Sequence, residues 1–158
     1  MGEEVEPKAP KKKAAPSEWK HASWVSPLGK WAWLVVLING IIGVIYGIAW
    51  LAIYIISYGP YLFLAPLFLP IWNMIWGVII AILAIVIIKP KFSNKCAEKN
   101  WDALYGWVLN LGKLRFPWML FWGVFVEIFG FWGWGGLMIL IPAFVLLFAG
   151  PKKYEWTK

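Results

Sequence analysis

A chain of 158 residues that is 61% apolar and only 15% charged lies outside the balance of a water-soluble domain, where roughly a quarter of residues carry charge. The net charge of +7 comes from lysines flanking apolar blocks, with Arg115 the only arginine and no nucleic-acid-binding module; anionic lipid headgroups are therefore the expected partner, and nucleic acid is not. One histidine, one cysteine and no HExxH, GxSxG, CxxC or P-loop pattern argue against an enzyme, and neither a cofactor nor a metal site is expected.

Residues 1–16 mix acids, lysines, alanines and prolines with too little apolar area to offset the entropy of ordering, and read as a tail. The first apolar run begins only at Trp31, is longer than a secretory signal core and has no small-residue cleavage site behind it; Glu6 stands where a myristoylation motif needs Ser or Thr. Ser17 can cap a short interfacial helix that Pro27 should end. From Trp31 to Ile88 there is no charge, which supplies a first membrane span over 31–57, a Tyr58-Gly59-Pro60 turn, and a second span over 70–88 that starts at Pro70.

Lys89-Pro90-Lys91 should stop the second span. Beyond it Ala97, Trp101, Leu104, Val108 and Leu111 recur at helical spacing opposite Lys95, Glu98, Lys99 and Asp102. That pattern predicts an amphipathic helix over 94–111, capped by Ser93 or Asn94 and lying in the membrane interface. The mixed charges on its outer face read as solvated, not as a catalytic dyad. Phe116 to Gly150 is too long for one crossing, and Trp132-Gly133-Trp134-Gly135-Gly136 breaks it into spans over 117–133 and 136–150, followed by a C-terminal tail over 154–158.

All 15 Lys and Arg fall in the N-terminal tail, the middle segment or the C-terminal tail, so both termini are expected on the cytoplasmic side of the cell membrane. The 14 tryptophans suit the two water–lipid boundaries, where amphipathic rings are favoured. WVSPLGK at 24–30 returns as WVLNLGK at 107–113, and nine identities fall in the 28 positions from 24 to 51. The expected fold is therefore an all-α integral membrane protein with four transmembrane helices. They form two parallel-repeat hairpins, units 17–91 and 92–153, each preceded by a short interfacial amphipathic helix.

Gly40, Gly43 and Gly47 share one side of the first span and Gly123 and Gly130 one side of the third, predicting a close seam between those two helices. Glu127 is the one acid inside an apolar block, where it must be paired, protonated or functional, with Asn39 and Tyr46 as partners by depth. Short loops, missing catalytic groups and the glycine seam point to a non-enzymatic multi-pass accessory or scaffold subunit, assembling with itself or with other membrane subunits. The alternative is a small oligomeric channel or transporter that uses Glu127.

Overall fold

The structure is a computed structural model that describes residues 19–64 and 66–157. The tail over 1–16 and the expected cap at Ser17 lie outside the described residues. Without charge or proline between Trp31 and Tyr58, nothing interrupts a helix, and α1 runs from Ala22 to Tyr58, 37 residues or about 55 Å. Pro27 does not end a separate interfacial helix, as expected from its ring, but lies within α1. Its lost amide falls in the second turn, and packing outweighs that loss: Val25 is buried, Gly29 lies against Cys96, and the Ser26 hydroxyl donates to the Cys96 carbonyl oxygen at 2.7 Å. The helix stops at Gly59, whose positive φ of 47° a β-carbon would disfavour, and a 3-10 segment, Gly59–Leu64, follows.

The returning helix α2 (Phe68–Leu83) carries Pro70 in its first turn, where a missing amide costs no ladder bond. Lys89-Pro90-Lys91 does not stop it. The chain continues through a π-helical stretch, Ala84–Ser93, and a further turn, α3 (Asn94–Ala97), giving 30 helical residues from Phe68 to Ala97. The wider winding absorbs Pro90, whose ring would clash in a regular α-helix, and the Asn94 amide reaches back to the Lys89 carbonyl oxygen. Ser93 and Asn94 are therefore interior residues and cap nothing; Ser93 Oγ instead accepts from the Trp33 amide at 3.1 Å.

The amphipathic helix expected over 94–111 is replaced by three pieces. Lys99 at φ 51° breaks it, and α4 (Trp101–Gly106) restarts with Asn100 Oδ1 accepting from the Ala103 amide at 3.1 Å. Then β1 (Val108–Leu111) and β2 (Leu114–Pro117) pair antiparallel, with Leu111 opposite Leu114 across the turn at Gly112-Lys113. The C-terminal segment holds this hairpin, since the Arg115 amide donates to the Trp156 carbonyl oxygen at 2.8 Å and Thr157 bridges Leu114. Consequently the matching heptapeptides do not match in structure: residues 24–30 are helical, whereas 107–113 form a strand and its turn.

Two shorter apolar helices close the chain: α5 (Trp118–Phe129), about 18 Å, and α6 (Trp134–Ala149), about 24 Å. The architecture is compatible with an all-α membrane protein in which α1 and the continuous helix from Phe68 to Ala97 are long and apolar enough to cross a membrane. α1 packs on α2 and α6, α5 packs on α6, and their shared interior holds Val36, Ile80, Ile88, Met119, Val126 and Ile139. The glycine seam is not between the first and third apolar helices. Gly40, Gly43 and Gly47 face α2, where a β-carbon on Gly40 would stand 2.6 Å from the Gly77 carbonyl oxygen and one on Gly47 2.6 Å from that of Pro70. Gly123 faces Leu140 of α6. Each close approach thus lies within a hairpin, between helices that a short connection already holds together.

Candidate functional site

The polar groups of the apolar region gather where the α5–α6 turn meets the middle of α1. Asn39, one of two side-chain amides in the uncharged stretch from Trp31 to Ile88, is fully buried. Its Nδ2 donates to the Phe131 carbonyl oxygen at 2.7 Å and its Oδ1 accepts from the Phe131 amide at 2.9 Å. One side chain thereby satisfies both backbone groups of a residue between two helices. Glycines on either side of the turn make room for it: a β-carbon on Gly130 would lie 2.7 Å from Asn39 Oδ1, and one on Gly135 3.0 Å from Asn39 Cγ. Gly130 thus serves the turn and not a helix seam.

Glu127 lies one turn before the break and tucks its carboxylate under the first turn of α6. Oε2 would stand 2.6 Å from a β-carbon on Gly136, and Oε1 3.2 Å from one on Gly133. Oε2 is buried and makes no hydrogen bond of regular geometry, although the backbone amides of Gly136 and Leu137 in the first turn of α6 lie beside the carboxylate. Neither partner expected from depth reaches it. Asn39 is engaged with Phe131, and the Tyr46 ring packs on that of Phe131 at 4.9 Å.

Tyr46 instead helps line a recess of about 370 Å³ with Trp50 and Tyr54 of α1, Leu69, Pro70 and Asn73 at the start of α2, and Trp132 from the turn. Trp132 takes a left-handed φ of 53°, which a bulky residue rarely adopts, and is 81% exposed. Residues 46, 50 and 54 recur every fourth position, a pattern the sequence displays; that Trp132 joins them depends on the turn that Asn39 holds.

At the other end of the molecule the Trp19 indole donates to the Ala149 carbonyl oxygen at 2.6 Å. Tyr105, almost wholly buried, donates to the Leu146 carbonyl oxygen at 2.6 Å, with that of Lys152 at 2.9 Å. Burial pushes the Tyr105 phenol above the usual tyrosine range, opposed by the Lys152 contact and assisted by nearby Asp102. A cleft of about 260 Å³ opens there beside Asp102, Arg115, Lys152 and Glu155. Two ion pairs form across it, Lys152 with Asp102 and Arg115 with Glu155 at 3.7 Å, and Lys153 also lines it. Glu98 is bound to Lys95 at 3.0 Å, away from Asp102's partner, and His21 accepts from the Trp24 indole at 3.3 Å. Cys96 is fully buried against Gly29. Among the described residues no three His, Cys, Asp or Glu side chains converge. No family model, curated protein or solved structure matches this chain.

Proposed function

We propose that the chain is a non-enzymatic multi-pass membrane subunit that assembles with copies of itself or with other membrane subunits. The supporting observation is the mismatch of helix lengths inside one chain. The bilayer's hydrocarbon core is about 30 Å thick, which α1 and the continuous helix from Phe68 to Ala97, about 45 Å, exceed and α5, at about 18 Å, does not reach. Asn39 lies nine residues beyond Lys30, about 14 Å along α1, so the turn it holds starts near mid-bilayer. On this reading α5 and α6 enter and return without crossing, and both termini and the middle segment share the lysine-rich, cytoplasmic side. The Trp19–Ala149 and Tyr105–Leu146 bonds, which draw those segments together, support that arrangement.

Irregular backbone at such depth survives only where protein covers it or water reaches it, because lipid offers no hydrogen bonds. Trp132 exposes the turn within this chain, and a second subunit would cover it. The test is disulfide cross-linking in native membranes of Trp132→Cys in a Cys96→Ala background, followed by mass measurement of the intact assembly in mild detergent. A cross-linked species of discrete mass is expected; a lone monomer in both measurements would remove the reading.

A second reading, transport of protons or cations, is favoured by the placement of the Glu127 carboxylate inside an otherwise uncharged apolar block, with no cationic side chain in that block to pair with it. Proteoliposomes would then show ion flux that Glu127→Gln abolishes although the variant assembles normally. Absence of flux in the wild type would exclude it.

A further inference from the structure

The recess between α1, the start of α2 and the α5–α6 turn is an aromatic box, and we propose that it binds a quaternary ammonium group. Four of its seven lining residues are aromatic: Tyr46, Trp50, Tyr54 and Trp132. The three on α1 touch ring to ring, Tyr46 to Trp50 at 6.0 Å and Trp50 to Tyr54 at 5.6 Å, so they form one wall. Such rings attract a desolvated cation through their negative faces and do so best when it is large and weakly hydrated. At about 370 Å³ the recess is larger than a metal ion needs and falls in the lower range of small-molecule sites.

The electrostatics select the sign of the ligand. No cationic side chain occurs from Trp31 to Ile88 or from Phe116 to Gly150, and the one formal charge in those segments is the Glu127 carboxylate. Asn73 gives one Nδ2 hydrogen to the Leu69 carbonyl oxygen at 2.9 Å, which leaves its Oδ1 acceptor and one neutral N–H beside the recess. An anion would find no charged donor. Aromatic residues at a membrane boundary need no ligand in themselves. What a belt does not explain is Trp132, held in a left-handed conformation beside the box although glycines stand two positions before it and immediately after it. Residues kept in sparsely populated backbone regions cluster at ligand clamps.

A trimethylammonium group reaches such a box either as a free amine of the choline class or as the headgroup of a choline phospholipid. Tyr46 and Tyr54 lie about 24 and 36 Å beyond Lys30 along α1, so the box spans the depth from the outer hydrocarbon to the opposite headgroups. The experiment is equilibrium binding of radiolabelled tetramethylammonium and choline to the full chain in a maltoside detergent free of choline lipids. Competitors are short-chain phosphatidylcholine, phosphatidylglycerol of the same chain length, and 3,3-dimethylbutanol, which has choline's shape without its charge.

Saturable binding is expected, weakened about fivefold by Trp132→Leu, partly restored by Trp132→Phe and unchanged by Ile56→Leu, since a cation–π contact is worth on the order of 1 kcal/mol. Phosphatidylcholine competing at least tenfold better than choline assigns the lipid source, and equal competition the free amine. No saturable binding, competition by phosphatidylglycerol equal to that by phosphatidylcholine, or equal affinity for dimethylbutanol and choline would each overturn the proposal.

Discussion

Replacing Asn39 by alanine removes two hydrogen bonds at once and strands the N–H and C=O of half-buried Phe131. Each lost bond is worth about 1 kcal/mol net, and each buried backbone group left unpaired costs about 1–3 kcal/mol, so the expected loss is about 3–5 kcal/mol after partial relaxation. For a chain of this length, each kcal/mol moves the midpoint by roughly 2–4 °C, which places the change on the order of 10 °C. Asn39→Asp retains the acceptor for the Phe131 amide but turns a second oxygen toward its carbonyl, and should be as damaging as alanine or more so. Thermal unfolding in mild detergent, followed by near-ultraviolet circular dichroism, reads both variants. A second substitution supplies the internal control: Gly135→Ala presses a methyl group onto Asn39 and should cost less in the Asn39→Ala background than in the wild type. A midpoint for Asn39→Ala within about 1 °C of wild type, or strict additivity with Gly135→Ala, would show that the Asn39–Phe131 pair does not hold the turn.

Gly77→Ala should lower stability by at least about 1–3 kcal/mol by overpacking, because its β-carbon would stand 2.6 Å from the Gly40 carbonyl oxygen and 2.9 Å from Val44 Cγ2. Ile56→Ala, at a residue 82% exposed, should leave the unfolding midpoint in detergent nearly unchanged. Tyr105→Phe should cost about 1–2 kcal/mol through the lost phenol donor, detectable in the same melts. Burial raises the folded pKa of Tyr105 above its unfolded value, so its contribution is complete below pH about 10 and is lost as pH rises through the folded value. Stability measured across that alkaline range should therefore fall less steeply in Tyr105→Phe than in the wild type.

Composition and charge placement were enough to read the helical class, the two apolar blocks, the presence of a break in the second one and the polar outliers Asn39 and Glu127, because each expresses what one residue costs in an apolar setting. That cost is local and is written in the residue itself. The break itself falls at Gly130–Gly133, earlier than the Trp132–Gly136 run, whose last three residues lie within α6. Which groups would meet was not legible. Asn39 pairs with a backbone segment 92 positions away, and no side chain records that a carbonyl and an amide of Phe131 need partners. Pro27 and Pro90 read as stops because the ring penalty is local, whereas the packing and the π-helical winding that overcome it arise between α1 and the far end of the second helix. The helical spacing over 94–111 was outweighed by the Gly112-Lys113 turn and by the C-terminal residues that clamp the resulting hairpin. The repeated heptapeptide shows the same division: two segments alike at five of seven positions meet different neighbours, and one becomes helix, the other a strand and its turn. Sequence determined which segments are apolar and helical; tertiary contacts decided how far each runs, where it breaks and which polar group closes the break, because those choices balance local costs of a few kcal/mol against packing between residues distant in the chain.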